Sequence, residues 1–177
     1  MPLFMPVTIM GGGLIVNLSP PVAGDNDDGT AYGLRTLLTT SILSAPSNGS
    51  AIRVTFSAST GNNLPVTAAY VGHKGASAPN FDGNQKQLLF GGSGSVTITA
   101  NSSITSDLLN FSFDKTKDLI ISVGTTSLHM KTGNPSATGY TAYNKPSDQS
   151  NSGTTTVSSY STATSEFYGC TKIEIFQ

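Results

Sequence analysis

The sequence is poor in charge, in cysteine and in histidine, and it contains no tryptophan. Charged residues make up 11% of the 177 residues, and the formal net charge is −1. Proteins that bind nucleic acid or anionic membranes use clustered Lys and Arg side chains to neutralise phosphate groups. Here 9 Lys and Arg residues face 10 Asp and Glu residues. We therefore expect no nucleic-acid partner and no membrane partner.

The scarcity of cysteine excludes further classes of protein. Cys170 is the only cysteine, so it has no intramolecular disulfide partner and cannot belong to a cysteine-rich metal cluster. The sequence also lacks the ligand spacings of a metal site and the glycine-rich loops that hold phosphates or dinucleotides. We expect no metal and no cofactor, and we expect stability to come from packing or assembly.

The beginning of the chain is apolar, but it does not read as a secretion signal or a membrane span. It contains Pro2, Pro6 and three consecutive glycines, and no basic segment precedes the apolar one. The prediction is a protein made in a cytoplasm. Residues 1–13 have two interpretations: one side of a first hairpin with Leu14 to Leu18, or an extended arm that packs on a neighbouring subunit.

What the chain does contain is a series of short apolar runs separated by turn residues. From Ala51 to Ala58 the side chains alternate, with Ile52, Val54 and Phe56 on one face. This period of two is typical of a half-buried antiparallel strand. Similar runs occur at residues 14–18, 32–43, 66–71, 109–113, 119–123, 128–131 and 172–176, and no segment has a convincing helical period.

Short strands at this spacing predict an all-β fold. We expect residues 1–177 to form one antiparallel β-sandwich of the jelly-roll type, because this arrangement is common at this chain length. Residues 85–90 and 95–100 are expected to pair as a hairpin across the glycines between them. The runs at 109–113 and 119–123 are expected to be adjacent strands of the core.

Two polar segments are predicted as loops. Residues 132–152 are rich in Gly, Asn, Ser and Pro and are expected to form a long loop, which is typical of a functional segment or of one packed on a partner. Residues 24–30, which include Asp25, Asp27 and Asp28, are interpreted as a structural turn. A calcium loop is the weaker interpretation, because its glycine stands one place early and no closing acid follows.

The residues that hydrolytic chemistry requires are not found in a recognisable pattern. A nucleophile elbow of the form G-x-S-x-G is absent, and the two histidines, His73 and His129, lie in no base motif. Asp82 is the best candidate for a functional acid, although its turn sequence favours a role in the backbone turn. We therefore predict that the protein is not an enzyme.

The best candidate for a binding surface is the segment that follows the strand ending near residue 71. Its histidine, aromatic ring, amides and acid are the groups that bind sugars on a β-scaffold. The candidate binding residues are His73, Asn80, Phe81, Asp82 and Asn84, together with Tyr140 and Tyr143 from the late loops. The alternative, for these rings and for Tyr160, Phe167 and Tyr168, is that they anchor long loops to the core or to a neighbour.

A series of strand ends and turns in the middle of the chain resembles a known module. It consists of Arg53 to Phe56, Ala69 to His73, Asn80 to Gly83, Leu89 to Ser93, Val96 to Ile98, Ser106 to Asp107 and Lys117 to Leu119. In this order they resemble a β-sandwich module of bacteriophage virion proteins, which is also similar to the domain before the catalytic part of some SGNH/GDSL esterases. The likeness covers residues 34–123, with a weaker echo at residues 171–176.

The resemblance implies a structural protein of a virion. The catalytic GDS block of the esterases is missing from this chain, so their activity does not carry over. The resemblance implies a jelly-roll subunit, made in the host cytoplasm, that joins other virion proteins as capsid decoration or as part of the tail or baseplate. Such subunits are often homotrimers. The alternative function is a carbohydrate-binding module or adhesin that contacts a glycan of the host surface.

Overall fold

The computed structural model describes residues 12–133, 138–163 and 168–177, and their regular secondary structure is antiparallel β-strand apart from one four-residue helical turn. In chain order the described elements are β1 (Leu14–Leu18), β2 (Val22–Asp28), β3 (Tyr32–Leu38), α1 (Thr40–Leu43), β4 (Gly49–Ser57), β5 (Leu64–His73), β6 (Lys86–Leu88), β7 (Val96–Ile98), β8 (Ser103–Thr105), β9 (Leu109–Phe113), β10 (Leu119–Thr125), β11 (Leu128–Gly133), β12 (Tyr140–Pro146), β13 (Ser161–Ala163) and β14 (Cys170–Phe176).

These strands form two main sheets and a separate ribbon. The first sheet has the order β1-β14-β4-β8, and β9 also pairs with β4. The second sheet has the order β13-β12-β3-β10-β5-β6, and β7 also pairs with β5. The ribbon consists of β2 and β11. The all-β sandwich that the sequence predicts is confirmed.

One apolar core lies between the two sheets. It combines Ile52, Val54 and Phe56 of β4, all 0% exposed, with inward-facing residues of the second sheet such as Leu34 and Ile121. The alternation of β4 is as predicted, because Arg53 and Thr55 on its other face are only partly buried. Burying one face of each sheet against the other is what holds a β-sandwich together.

The second sheet is covered on its outer face as well. Every residue of β10 is buried, which explains why its sequence is continuously apolar. Residues 147–160 lie across this outer face, and a Cβ at Gly124 would lie 2.7 Å from the carbonyl oxygen of Gln149. A second apolar cluster, which we call the outer-face cluster, contains Leu37, Phe81 and Ile120, with Tyr70, Ala78 and Tyr143 packed against it.

Two segments predicted as loops contain strands. Residues 140–146, inside the predicted loop 132–152, form β12 and pair with β3 from Tyr140 opposite Leu38 to Pro146 opposite Tyr32. The polar turn predicted at residues 24–30 is largely strand β2, which pairs with β11. Both predictions were wrong for the same reason: these strands have polar, partly exposed sequences, so they lack the apolar signal of a core strand.

The predicted hairpin of residues 85–90 and 95–100 was also wrong. β6 and β7 do not pair with each other; both pair with β5, β6 at Ala69 to Val71 and β7 at Leu64 to Val66. They are two pieces of one edge strand, interrupted by the excursion of residues 89–95. The inward orientation of Ile98, 3% exposed, is as predicted.

Other predictions about neighbours and elements need smaller corrections. β9 and β10 are not adjacent, because β9 pairs with β4 in the first sheet and β10 lies between β3 and β5 in the second. The run at residues 32–43 ends in the single helical turn α1. The closing strand was predicted correctly, as β14 pairs with β1 and β4. Most of the predicted arm 1–13 lies outside the described residues.

Candidate functional site

A cleft of about 410 Å³ opens between the two sheets on the side where β6 and β9 form their edges. The Nζ of Lys86, on β6, donates a hydrogen bond of 2.8 Å to the carbonyl oxygen of Asn110 on β9 and so links the two sheets beside the cleft. The lining residues are His73, Asp82, Asn84, Lys86, Phe111, Ser112, Asp114 and Lys117. Three of the predicted binding residues, His73, Asp82 and Asn84, therefore come together here.

His73 was predicted to lie in the loop after the strand that ends near residue 71, but it is the last residue of β5. It is 4% exposed, and its ring lies 5.1 Å from the ring of Phe111 and 5.9 Å from that of Phe113. The backbone N–H of Asp114 donates a 3.0 Å hydrogen bond to Nε2. Because Nε2 accepts this bond, the neutral ring carries its proton on Nδ1.

This hydrogen bond decides what His73 can do chemically. The only lone pair of the neutral imidazole is already used by the Asp114 amide, so Nε2 is not free to remove a proton from a nucleophile. Burial lowers the pKa of His73 below its ordinary value of 6.5, and the charge of Asp82 only partly opposes this effect. His73 is therefore a neutral hydrogen-bond donor that directs Nδ1 toward Asp82.

Asp82 occupies the other side of the cleft. Its Oδ2 lies 4.0 Å from His73 Nδ1 and 3.2 Å from Lys117 Nζ. The backbone N–H of Asn84 donates a hydrogen bond to Oδ1 at 3.1 Å, so the predicted turn role of Asp82 is present as well. Burial opposes its charge, but the Asn84 amide and the Lys117 ammonium outweigh this and hold the pKa of Asp82 below its ordinary value.

The other predicted binding residues do not line the cleft. Phe81 is 3% exposed and belongs to the outer-face cluster, where Tyr143 packs against it. Asn80 accepts a hydrogen bond from the backbone N–H of Val157 at 2.9 Å, which ties it to the covering segment 147–160. Tyr140 is 8% exposed and lies in the main core. These rings act as anchors, which was the alternative interpretation.

The structure reveals one central residue that no sequence pattern singled out. Arg35 of β3 is fully buried on the outer face of the second sheet, with its Cζ 4.3 Å from the centre of the Phe81 ring. Its guanidinium donates hydrogen bonds to the carbonyl oxygens of Pro79, Asn151 and Thr154. Burial lowers the pKa of Arg35 to about 10. No carboxylate pairs with it within the described ranges, so backbone dipoles and the aromatic ring stabilise its charge.

The aspartates of the predicted turn are held by neighbours within the protein. Asp25 lies 2.6 Å from Lys131 Nζ, and this contact lowers the pKa of Asp25 to about 2. Asp27 lies 3.3 Å from Nδ1 of His129. Among the residues that the structure describes, no three His, Cys, Asp or Glu side chains are grouped closely enough to hold a metal ion. No helix in the described part of the chain is long and apolar enough to cross a bilayer.

Comparison with known proteins adds no family assignment. No protein-family model matches the chain, and no curated protein is similar enough to indicate a relationship. The site must therefore be judged on its own geometry. That geometry is a polar cleft with hydrogen-bond donors and acceptors on facing walls, built from β5, β6, β9 and the turns beside them.

Proposed function

We propose that the protein is a non-enzymatic structural subunit of a bacteriophage virion, docked on the capsid or the tail and associating with copies of itself as a trimer. The observation that supports this proposal is that the charged side chains are paired within the protein itself. Each Lys, Arg, Asp and Glu of the described residues has a hydrogen-bond or ion-pair partner within the chain. Examples are Lys131 with Asp25, Lys145 with Asp148 and Arg53 with Glu174.

Because these charges are already paired, the surface can be buried against another protein at a low desolvation cost. On the outer face of the first sheet, hydroxyl groups bond to one another: Thr55 to Thr105 at 2.8 Å, and Ser57 to Ser103 at 2.6 Å. Moving paired hydroxyl groups out of water costs much less than moving ions. Such a surface suits permanent contact with other virion proteins, which is the role that the likeness of residues 34–123 to a virion module implies.

We also propose that the sandwich is a jelly roll, and the pairing of strands supports this. If each interrupted edge strand is counted once, and β12 and β13 are set aside as an extension of the second sheet beyond β3, eight main strands remain. The first pairs with the last (β1 with β14), the second with the seventh (β3 with β10), the third with the sixth (β4 with β8 and β9) and the fourth with the fifth (β5 with β6 and β7). This nesting is what a long hairpin gives when it is rolled into two sheets.

The alternative function is contact with a host-surface glycan, and the cleft beside His73 is the specific observation that favours it. The two functions are compatible, because an adhesin can also be a structural part of a tail. The buried positions of Phe81 and Tyr140 count against the aromatic platform that the sequence suggested. A glycan would instead meet the hydrogen-bonding groups of the cleft.

The structural proposal is tested by assembly of the purified full chain. Light scattering coupled to size-exclusion chromatography should give three times the monomer mass, and the protein should sediment with particles that lack it. The chain without residues 1–13 should fold but lose particle binding if that segment is the arm. A full chain that stays monomeric and does not sediment with particles would contradict the proposal.

A further inference from the structure

We propose that the cleft binds one neutral sugar residue, with a hydroxyl group of the sugar placed between Nδ1 of His73 and Oδ2 of Asp82. This inference rests on the glycan-binding alternative above and gives that alternative a site, a ligand class and a binding geometry. It does not depend on whether the protein forms a trimer or joins a virion.

The distance between the two groups is the first argument. Nδ1 of His73 and Oδ2 of Asp82 are 4.0 Å apart, which is too long for a direct hydrogen bond. One is a donor and the other an acceptor, so an atom group that both accepts and donates would satisfy the two together. Two hydrogen bonds of about 2.8 Å span this gap at an angle of about 90°, a geometry that a hydroxyl group can adopt.

The rigidity of these two groups is the second argument. The His73 ring is held by the Asp114 amide at Nε2 and by the rings of Phe111 and Phe113. The Asp82 carboxylate is held by the Asn84 amide and by Lys117. Neither group has to be ordered when a ligand arrives, so little side-chain entropy is lost on binding.

Charge and size define the ligand class. The carboxylates of Asp82 and Asp114 are balanced by the ammonium groups of Lys86 and Lys117, and His73 is neutral. A cleft without net charge favours a neutral ligand over an anionic or a cationic one. Its volume of about 410 Å³ lies at the lower end of the range for small-molecule sites, which suits a single sugar residue.

The remaining walls fit a sugar ring. Phe111, which is 2% exposed, closes the base of the cleft, and the hydroxyl of Ser112 and the amide of Asn84 supply further polar contacts. Ser112 is exposed and lines the cleft, so a large side chain there should obstruct the cleft without entering the core. This position gives a blocking variant for the test.

The test is ligand-observed NMR of the full chain with the methyl glycosides of glucose, galactose, mannose, rhamnose and N-acetylglucosamine, with methyl glucuronide as the anionic comparison. We expect at least one neutral glycoside to bind. Asp82→Ala should weaken that binding at least tenfold, and Ser112→Trp should abolish it. The control variant is Thr126→Trp. Thr126 is exposed and follows the end of β10 that lies farther from the cleft, so this variant should bind as the wild type does.

Thermal unfolding of each variant separates loss of binding from loss of folding. If Asp82→Ala does not fold, Ser112→Trp decides the question. Binding of a neutral glycoside that persists in the Ser112→Trp variant would overturn the cleft as the site and leave glycan binding standing. Absence of binding to all the glycosides in the wild type would overturn both, and tighter binding of the glucuronide would overturn the neutral ligand class.

Discussion

At the scale of single residues, Arg35 has the most demanding position in the structure. A fully buried cation is costly unless hydrogen bonds and nearby π-electrons compensate for the lost hydration. Arg35 obtains both, from three backbone carbonyl groups and the ring of Phe81. Because those carbonyl groups belong to two different loops, one side chain fixes both loops on the second sheet.

The same substitution at the two arginines should therefore have different effects. Arg35→Lys should lower the free energy of unfolding by about 2–3 kcal/mol, because one ammonium cannot replace a planar guanidinium that bonds three carbonyls. Arg53→Lys should lower it by less than about 1 kcal/mol, because the Arg53 side chain is 42% exposed. Urea denaturation measures both, and equal losses would contradict the role assigned to Arg35.

His73 should make stability depend on pH in a defined range. Its pKa is below 6.5 in the folded protein and near 6.5 in the unfolded chain, so the unfolded chain binds more protons as the pH falls below about 7. The contribution of His73 to the free energy of unfolding is complete above pH 6.5, and it is lost as the pH falls through the pKa of the folded protein. Asp82, Asp114 and Lys117 act on it through their charges, and the first two oppose the shift.

We therefore expect the free energy of unfolding to fall between pH 7.5 and 5.5 in the wild type, a range above the pKa values of the carboxylates. His73→Gln should remove most of this fall, because the glutamine side chain does not titrate. His129→Gln leaves His73 in place and should retain the dependence that His73→Gln loses. Urea denaturation at several pH values measures the slope, and an unchanged slope in His73→Gln would contradict the assignment.

At the scale of elements, the interrupted edge strand of β6 and β7 shows what a sequence pattern leaves open. Two apolar runs around a glycine-rich segment look alike whether they pair with each other or with a third strand. The excursion between them is held by Asp107, whose carboxylate accepts hydrogen bonds from the backbone N–H groups of Gly91 and Gly92. Asp107 lies between β8 and β9, more than ten residues away in sequence, so no local pattern predicts this contact.

Backbone conformation in this excursion can be tested with a matched pair of glycines. Gly92 has φ of +83°, whereas Gly61 has no positive φ, and a Cβ at either position would meet no atom within 4 Å. Gly92→Ala should cost about 1–2 kcal/mol, since L-residues disfavour this region. Gly61→Ala should be neutral or stabilising by up to about 1 kcal/mol. Equal unfolding midpoints in urea would contradict the conformation of the excursion.

The strands that the sequence predicted well are those with one or two buried faces. The alternation of β4 and the apolar run of β10 report burial directly, and both strands are central in their sheets. β2 and β12 were not predicted as strands, because polar residues dominate their sequences. The pairing of β9 and β10 was mistaken because strands that follow each other in sequence can belong to opposite sheets, as they do here.

At the scale of the whole molecule, the cleft is a product of the sandwich itself. His73, Asp82 and Asn84 are near each other in sequence, so their association could be predicted. Phe111, Ser112, Asp114 and Lys117 join them only because β9 and the turn after it, from the first sheet, reach the end of β5 in the second. The burial of Phe81 likewise depends on residues 147–160, which lie far away in sequence.

Quantitative mass spectrometry of purified particles tests whether this sandwich is a virion subunit. Particles should be purified through a density gradient from cultures of the organism that carries the gene, with phage production induced. We expect peptides of this chain in the particle fraction at a fixed ratio to the major capsid protein, and this ratio should correspond to a multiple of three copies per particle. Their absence from particles, with the protein present in the soluble lysate, would contradict it.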